Sequence, residues 1–304
     1  MEVSIIIPVL NEATNVGLIA KEIDEYCKHH HEIIFVDDGS TDDTFLNIQA
    51  LAETHCHIKC LSFSRNFGHQ NAIMAGLSEA SGQNIIIMDG DLQHPPALIP
   101  ELLYKLREGY DVVNTKRLST ENVGILKSAS SSLFYFFINK ISDTKIEAGV
   151  SDFKAFNKKV LHSILEFKEK ELFLRGIFSW VGYKQITIPF RAPERKHGKT
   201  KFGGGKMFAL ALKGTISFSF KPLRVAIIAG SMVSAAAFGF AVFALISYFS
   251  GTTVAGWAST IIAVMLLGGT QLLAIGLMGE YIASLFTELK KRPLYLVDKR
   301  INLP

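Results

Sequence analysis

Between Val225 and Gly279 the chain carries no charged residue. Few folds tolerate that. A bilayer core needs about 20 apolar residues per crossing helix, and two such runs fit here, Val225–Phe249 and roughly Trp257–Ala283, joined by SGTTVAG at 250–256. Lys213, Lys221 and Arg224 precede the first run, Lys290, Lys291 and Arg292 follow the second, and the link between them is uncharged. Lysine and arginine collect on the cytoplasmic side of such segments. The expectation is a two-helix hairpin over 223–286 with both termini cytoplasmic. The alternative is a helical hairpin buried inside a soluble protein. Gly230, Gly239, Gly268, Gly269, Gly276 and Gly279 would let helices, or copies of the chain in a homo-oligomer, approach closely.

Outside this stretch the chain reads as an ordinary globular protein. With 304 residues it can build one large core or two smaller ones. A net charge of +4 does not imply a nucleic-acid partner. Cys27, Cys56 and Cys60 are odd in number and follow no framework spacing, which suits a reducing compartment. HCHIKC at 55–60 could tempt a zinc reading, but it runs into a strand and no second cluster follows it in sequence. His29-His30-His31 reads as a solvated helix end rather than a ligand set, with weak metal binding as the alternative. MEVSIIIPVLNE has no basic n-region and starts as a strand, so the expectation is no signal peptide and a catalytic part that stays in the cytoplasm.

The first half alternates short apolar runs with amphipathic helical patterns. Strands are expected at Val3–Ile7, Ile33–Val36, Ile58–Phe63, Asn84–Met88 and Asp111–Asn114, and helices at Thr14–Cys27, Thr41–Thr54, Gln70–Ala80 and Pro96–Arg107. Strands apolar on both faces and separated by helices predict a mainly parallel sheet in an α/β nucleotide-binding fold. Further strands are expected at Val150–Phe156 and Tyr183–Pro189, a helix over Leu126–Lys140, and an amphipathic membrane-surface helix over 206–222. The expected division is a catalytic domain at 1–205, that juxtamembrane helix, the hairpin, and a cytoplasmic tail at 287–304.

Two acidic loops fall just past strands two and four, where ligands of such sheets bind. One is VDDGSTDDT, with Asp37 and Asp38; the other is MDGDLQHPP, with Asp89 and Asp91. Thr41 or Asp42 would cap the next helix, but capping does not account for two acidic loops at one sheet edge. Two carboxylates one residue apart on a tight turn can share a hard divalent ion with a diphosphate, and Mg2+ or Mn2+ fits. Phosphate-loop alternatives fail: HGKT at 197–200 has Pro193 where a Walker A glycine belongs, GGGK at 203–206 is followed by Met207, and no GxGxxG follows the first strand.

IIIPVLNE, VDDGSTDDT, MDGDLQHPP and ERKHGKTKF, followed by FSFKPLR, two apolar spans and GEYI, resemble family 2 glycosyltransferases of the GT-A fold. The chain is most similar to the polyprenyl-phosphate branch, the bactoprenol glucosyltransferases and dolichol-phosphate mannose synthase relatives. The resemblance implies that Pro8, Leu10, Glu12, Asp37 and Asp38 line the nucleotide pocket, with a carboxylate accepting the uracil or guanine N–H. It implies that Asp89, beside Gly90, faces the ribose and diphosphate, and that Asp91 and Gln93, with Asp89, hold the metal. Arg117 and Lys127 would sit near the phosphates or the acceptor, and Asp152 would act as a base or a sugar-binding acid. Arg195, Lys199 and Lys201 would belong to a loop that closes over the diphosphate and engages the lipid phosphate.

Blander roles exist for several of these. Glu12 could cap the first helix, Asp152 could pair with a nearby lysine, and the basic loop could contact anionic headgroups. Gly90 stands where relatives commonly have alanine, and EFKEKE lacks a proline often found before LFLRGIFSWVGY.

The reaction implied is an inverting transfer of a hexose from a nucleotide diphosphate sugar to undecaprenyl phosphate, at the cytoplasmic face of a bacterial inner membrane. UDP-glucose is the first choice of donor; GlcNAc, galactose, mannose or an amino sugar are alternatives. A processive polysaccharide synthase would add a QxxRW motif that is missing here. The rival from another class is a non-catalytic membrane scaffold in glycan assembly.

Overall fold

The computed structural model describes residues 1–118, 150–170, 173–191, 221–250 and 256–303. They fall into two compact units, one holding an eight-stranded sheet with its helices and the other a pair of long helices.

The sheet is built from β1 (Val3–Val9), β2 (His31–Asp37), β3 (Ile58–Phe63), β4 (Asn84–Ile87), β5 (Val112–Arg117), β6 (Val150–Asn157), β7 (Gln185–Phe190) and β8 (Val297–Ile301). Their spatial order is β7-β5-β6-β4-β1-β2-β3-β8. Pairs β1–β2, β1–β4, β2–β3 and β5–β7 are parallel, and β6 and β8 run against their neighbours. VSIIIPV in β1 is buried at every position, as expected where helices cover both faces of a central strand.

Helices α1 (Val16–Tyr26), α2 (Thr44–Thr54), α3 (His69–Glu79) and α4 (Ile99–Arg107) connect the first five strands; α5 (Lys158–Leu165) and α6 (Leu174–Trp180) follow β6. In α1, Val16, Ile19, Ala20 and Ile23 recur at helical spacing and form its buried face. They join Ile5, Ile7, Phe35, Ile86 and Phe153 in the core. Asn157 starts α5 by accepting a hydrogen bond from the Val160 amide at 3.1 Å.

The chain goes from β1 outward to β2 and β3, then returns to place β4 on the other side of β1. That reversal opens a crevice beyond the carboxyl ends of β1 and β4. Residue pairing between these strands ends at Ile6 and Ile87, and the Met88 amide adds one bond to the Ile6 carbonyl (3.1 Å). Pro8, the next β1 residue on that side, has no N–H with which to continue. The strands therefore diverge where the acidic loops emerge.

All seven strands expected from the sequence are present, with ends shifted by a few residues. The eighth lies in the segment read as a tail. Val297–Ile301 pairs antiparallel with β3, Tyr295 stacks on Phe63 with ring centroids 4.9 Å apart, and the Asn302 amide donates to the carbonyls of Ala52 (3.0 Å) and Ile58 (2.8 Å).

In the second unit, α7 (Lys221–Phe249, 29 residues) and α8 (Trp257–Leu289, 33 residues) cover the two apolar runs and extend past them to take in Lys221 and Arg224 at one end and Glu280 and Glu288 at the other. Many of their described large side chains are exposed, Phe238 to 73% and Leu272 to 71%. Among the described residues one helical stretch, Leu266–Leu289, is long and apolar enough to cross a membrane; in α7 the apolar stretch Gly230–Phe240 is shorter. Both runs are thus helical, and among the described residues one stretch, not two, has the length and composition of a crossing. The expected helix over 206–222 lies almost wholly outside the described residues, with Lys221 opening α7, and the expected helix over Leu126–Lys140 lies outside them.

Candidate active site

Loops from β1 and β2 form one wall of the crevice and are bound to each other. The Asn11 side-chain carbonyl accepts from the Thr41 amide (2.8 Å), the Asn11 amide donates to Ser40 Oγ (2.9 Å), and the Glu12 amide donates to Thr44 Oγ1 (2.8 Å). These bonds hold Asn11 at φ 56°, a left-handed conformation that side chains seldom adopt. Asp42 accepts from the Thr44 amide (3.0 Å), the first of α2, although the N-cap position itself falls to Asp43, whose side chain makes no capping bond. The carboxylate of Glu12 takes the Asn15 side-chain amide (2.6 Å), while its backbone carbonyl receives the first amides of α1. Pro8 is buried, and Leu10 and Glu12 are partly exposed at the crevice.

Asp37 and Asp38 are both almost fully buried. Asp37 accepts from Ser62 Oγ (2.8 Å) and the Ser40 amide (3.0 Å). Asp38 accepts from the amides of Phe67 (2.7 Å) and Gly68 (3.0 Å). Burial pushes the Asp38 carboxyl above the ordinary carboxylate range, against the pull of those two amides. Gly39 between the loops adopts φ +71°, and a Cβ there would lie 2.5 Å from the Arg65 backbone, so only glycine fits.

The second wall is the DGD turn after β4. A Cβ on Gly90 would come within 2.7 Å of Val9 Cγ1, so the turn packs directly on the end of β1. Asp91 Oδ1 accepts from the Gln93 amide at 3.1 Å, closing a turn across Leu92, whose φ is +60°. Arg117, at the end of β5, donates to Gln93 Oε1 (3.3 Å), so the two residues expected at metal and phosphate do meet.

Asp89 Oδ1 is buried and lacks a hydrogen-bond partner. His69 Nε2 lies 3.4 Å from it, close enough for attraction but making no hydrogen bond. A buried carboxylate oxygen without a donor is costly unless a cation completes it. The donor set of Asp89, Asp91 and the Gln93 amide oxygen is all hard oxygen, so these residues fit a divalent ion of the Mg2+ or Mn2+ class.

Sequence reasoning missed His94, which is 5% exposed. Its Nδ1 accepts from the Asp89 backbone amide (2.8 Å), which fixes the proton of the neutral ring on Nε2; that nitrogen then donates to Ser151 Oγ (2.7 Å). The ring stacks on Phe153 at 5.1 Å. His94 thus ties the DGD turn to β6. His94→Ala should destabilise the protein by about 2–4 kcal/mol, from an unpaired buried amide and a lost stack, and slow transfer about tenfold. His94→Asn, whose Oδ1 can replace Nδ1, should recover part of both; melting temperature and kcat measure them.

β6 carries Asp152 to the same region. Arg175, on α6, grips it with two bonds, Nε to Oδ1 (2.8 Å) and Nη2 to Oδ2 (3.0 Å). Lys154, two residues on and 3% exposed, lies 4.2 Å from the centre of the Phe178 ring. Burial opposes ionisation of Asp152, yet Arg175 first, then Lys154 and His69, hold its carboxyl well below the usual range. Burial in turn pushes Lys154 down to about 8, against the attraction of Asp152. A carboxylate held this way binds protons weakly and is poorly suited to act as a base. The partner of Asp152 is an arginine, not the nearby lysine that the sequence alone offered. His69, 3.4 Å from Asp89, thus adds positive charge near both acids. Lys127, Arg195, Lys199 and Lys201 lie outside the described residues.

A doubly covered, mainly parallel sheet with an acidic turn at its switch point defines a nucleotide-sugar-binding α/β fold of the GT-A type. The chain belongs to glycosyl transferase family 2, whose model matches residues 4–165. It is 39% identical over 303 residues to the prophage bactoprenol glucosyl transferase homolog of Escherichia coli K12, covering 98% of this chain and 99% of that one. It is also 39% identical to the bactoprenol glucosyl transferase of Shigella phage SfX, covering 99% and 100%. Among solved structures it is similar to the mannosyltransferase PcManGT from Pyrobaculum calidifontis in complex with GDP-Man and Mn2+, at 18% identity and a TM-score of 0.46, over 89% of this chain and 87% of that chain.

Proposed function

We propose that this protein transfers a hexose, glucose in the first instance, from a nucleotide diphosphate sugar, in the first instance UDP-glucose, to undecaprenyl phosphate at the cytoplasmic face of a bacterial inner membrane. The observation that carries this reading is the DGD turn at the β1–β4 crevice, with a buried Asp89 oxygen lacking a donor. The acceptor follows from relatives named bactoprenol glucosyl transferase that align over nearly the whole chain. Two C-terminal spans flanked by basic residues would anchor the enzyme, with both termini cytoplasmic.

The β1 and β2 loops hold the nucleoside against Pro8, Leu10 and Glu12, and the Asp38 carboxylate faces the base. Asp89, Asp91 and Gln93 hold a divalent ion, which when bound neutralises charge developing on the departing diphosphate. Arg117 orients Gln93 and adds positive charge at the phosphates. The lipid phosphate is already anionic near neutral pH and attacks the anomeric carbon directly, so one displacement inverts that centre. Asp152, fixed by Arg175, positions the sugar rather than taking a proton.

The test is to incubate the purified chain with undecaprenyl phosphate and a panel of nucleotide sugars, reading lipid products by mass. A product heavier by one hexose residue, formed from UDP-glucose, is expected. A product from another donor alone corrects the sugar; no lipid product from any donor overturns the reading.

A further inference from the structure

The opposite end of the sheet, where its parallel strands begin, gathers a second group of side chains able to ligate a metal. Asp24 lies in the last turn of α1, His31 opens β2, and His57 immediately precedes β3. His31 Nε2 and His57 Nε2 both lie 3.0 Å from Asp24 Oδ1, and the three donor atoms are all within 4.8 Å of one another.

Hydrogen bonding decides what such an arrangement can be. His31 Nδ1 lies 2.8 Å from the His29 carbonyl oxygen, which can only accept. That nitrogen therefore carries a hydrogen, and in the neutral ring Nε2 presents a lone pair to the carboxylate. The 3.0 Å contact is bridged either by a hydrogen of the charged ring or by a metal ion that both atoms ligate. Metal–ligand bonds of about 2.0–2.1 Å at angles near 90–110° set neighbouring donors roughly 2.9–3.4 Å apart, and these contacts fall in that range. A backbone carbonyl behind the ring is the outer partner that metal-bound imidazoles usually have.

We propose that Asp24, His31 and His57 form a divalent-metal site of the zinc class that clips the end of α1 to the starts of β2 and β3. The backbone supports it, since the His57 carbonyl accepts from the Ile33 amide at 3.0 Å. Side-chain exposures of 11% for His31, 27% for His57 and 39% for Asp24 leave the ion an entry and room for water as a further ligand. Imidazole donors separate this site from the all-oxygen set of the DGD turn, since they favour zinc over magnesium.

The probe is Zn2+ alone, added to the full chain in detergent after removal of any affinity tag, with excess Mg2+ to occupy the DGD turn. One tightly bound zinc is expected per chain. D24N and H57Q should each weaken it by at least tenfold, and H55Q should leave it unchanged. X-ray absorption on the unmutated protein, which does not depend on how a variant folds, should show two imidazole nitrogens and oxygen at about 2.0–2.1 Å. Failure to bind zinc, or binding that survives both D24N and H57Q, overturns the proposal and leaves a shared proton in the contact. Neither result bears on sugar transfer.

Discussion

Asp91→Ala should reduce lipid-linked sugar formation by at least about 1000-fold, equivalent to about 4 kcal/mol of transition-state stabilisation. The carboxylate does two jobs that separate by mutation. Its Oδ1 closes the turn by accepting from the Gln93 amide, and its charge serves the metal. Alanine removes both, so a stability loss of about 0.5–1.5 kcal/mol should accompany the loss of activity. Asp91→Asn keeps an acceptor oxygen for the Gln93 amide and removes the negative charge. It should melt close to the unmutated protein and still lose transfer, because a neutral amide binds a hard dication far more weakly than a carboxylate does. Single-turnover assays across a Mn2+ titration, paired with thermal melts, separate the two effects. Full activity in the asparagine variant would sink the metal reading of this turn.

How far the sequence disclosed this site depended on whether each interaction was local. The DGD turn, Gln93 and the acidic loop after β2 are contiguous motifs, and the strands bearing them are uninterrupted apolar runs. Both were therefore readable from the chain. VDKRI of β8 was not, because three of its five residues are charged and it pairs as an edge strand across more than 230 residues of chain. His94 stood in the quoted motif, but its role depends on Ser151 and Phe153, which only the antiparallel return of β6 brings near. Arg175 meets Asp152 through the packing of α6, and nothing in LFLRGIF announces that. Likewise Asp24, His31 and His57 come from three separate segments. A search for zinc spacing around HCHIKC finds no second cluster because the partners arrive from α1 and β2.

Arg175→Ala should slow transfer about 100-fold, the scale on which a misplacement of around 1 Å in a positioned group acts, and should lower stability by about 1–3 kcal/mol. Breaking a fully buried pair costs about 3–5 kcal/mol, but the Arg175 side chain is 38% exposed, so solvent screens part of the loss. The stability change has a definite pH signature. Folding lowers the Asp152 pKa, so its contribution is complete above the unfolded value of about 4 and is lost as pH falls toward the depressed folded value. The gap between the unmutated protein and Arg175→Ala should therefore be constant from pH 7 to about 5 and close below about 4, as thermal melts across that range can show. Arg175→Lys keeps the charge but not the two-pronged grip, so it should restore more stability than activity. Asp152→Asn should lower activity without making transfer depend on a new ionisation between pH 6 and 8, because the lipid phosphate needs no base. A newly appearing basic limb in that pH–rate profile would instead return Asp152 to the role of proton acceptor.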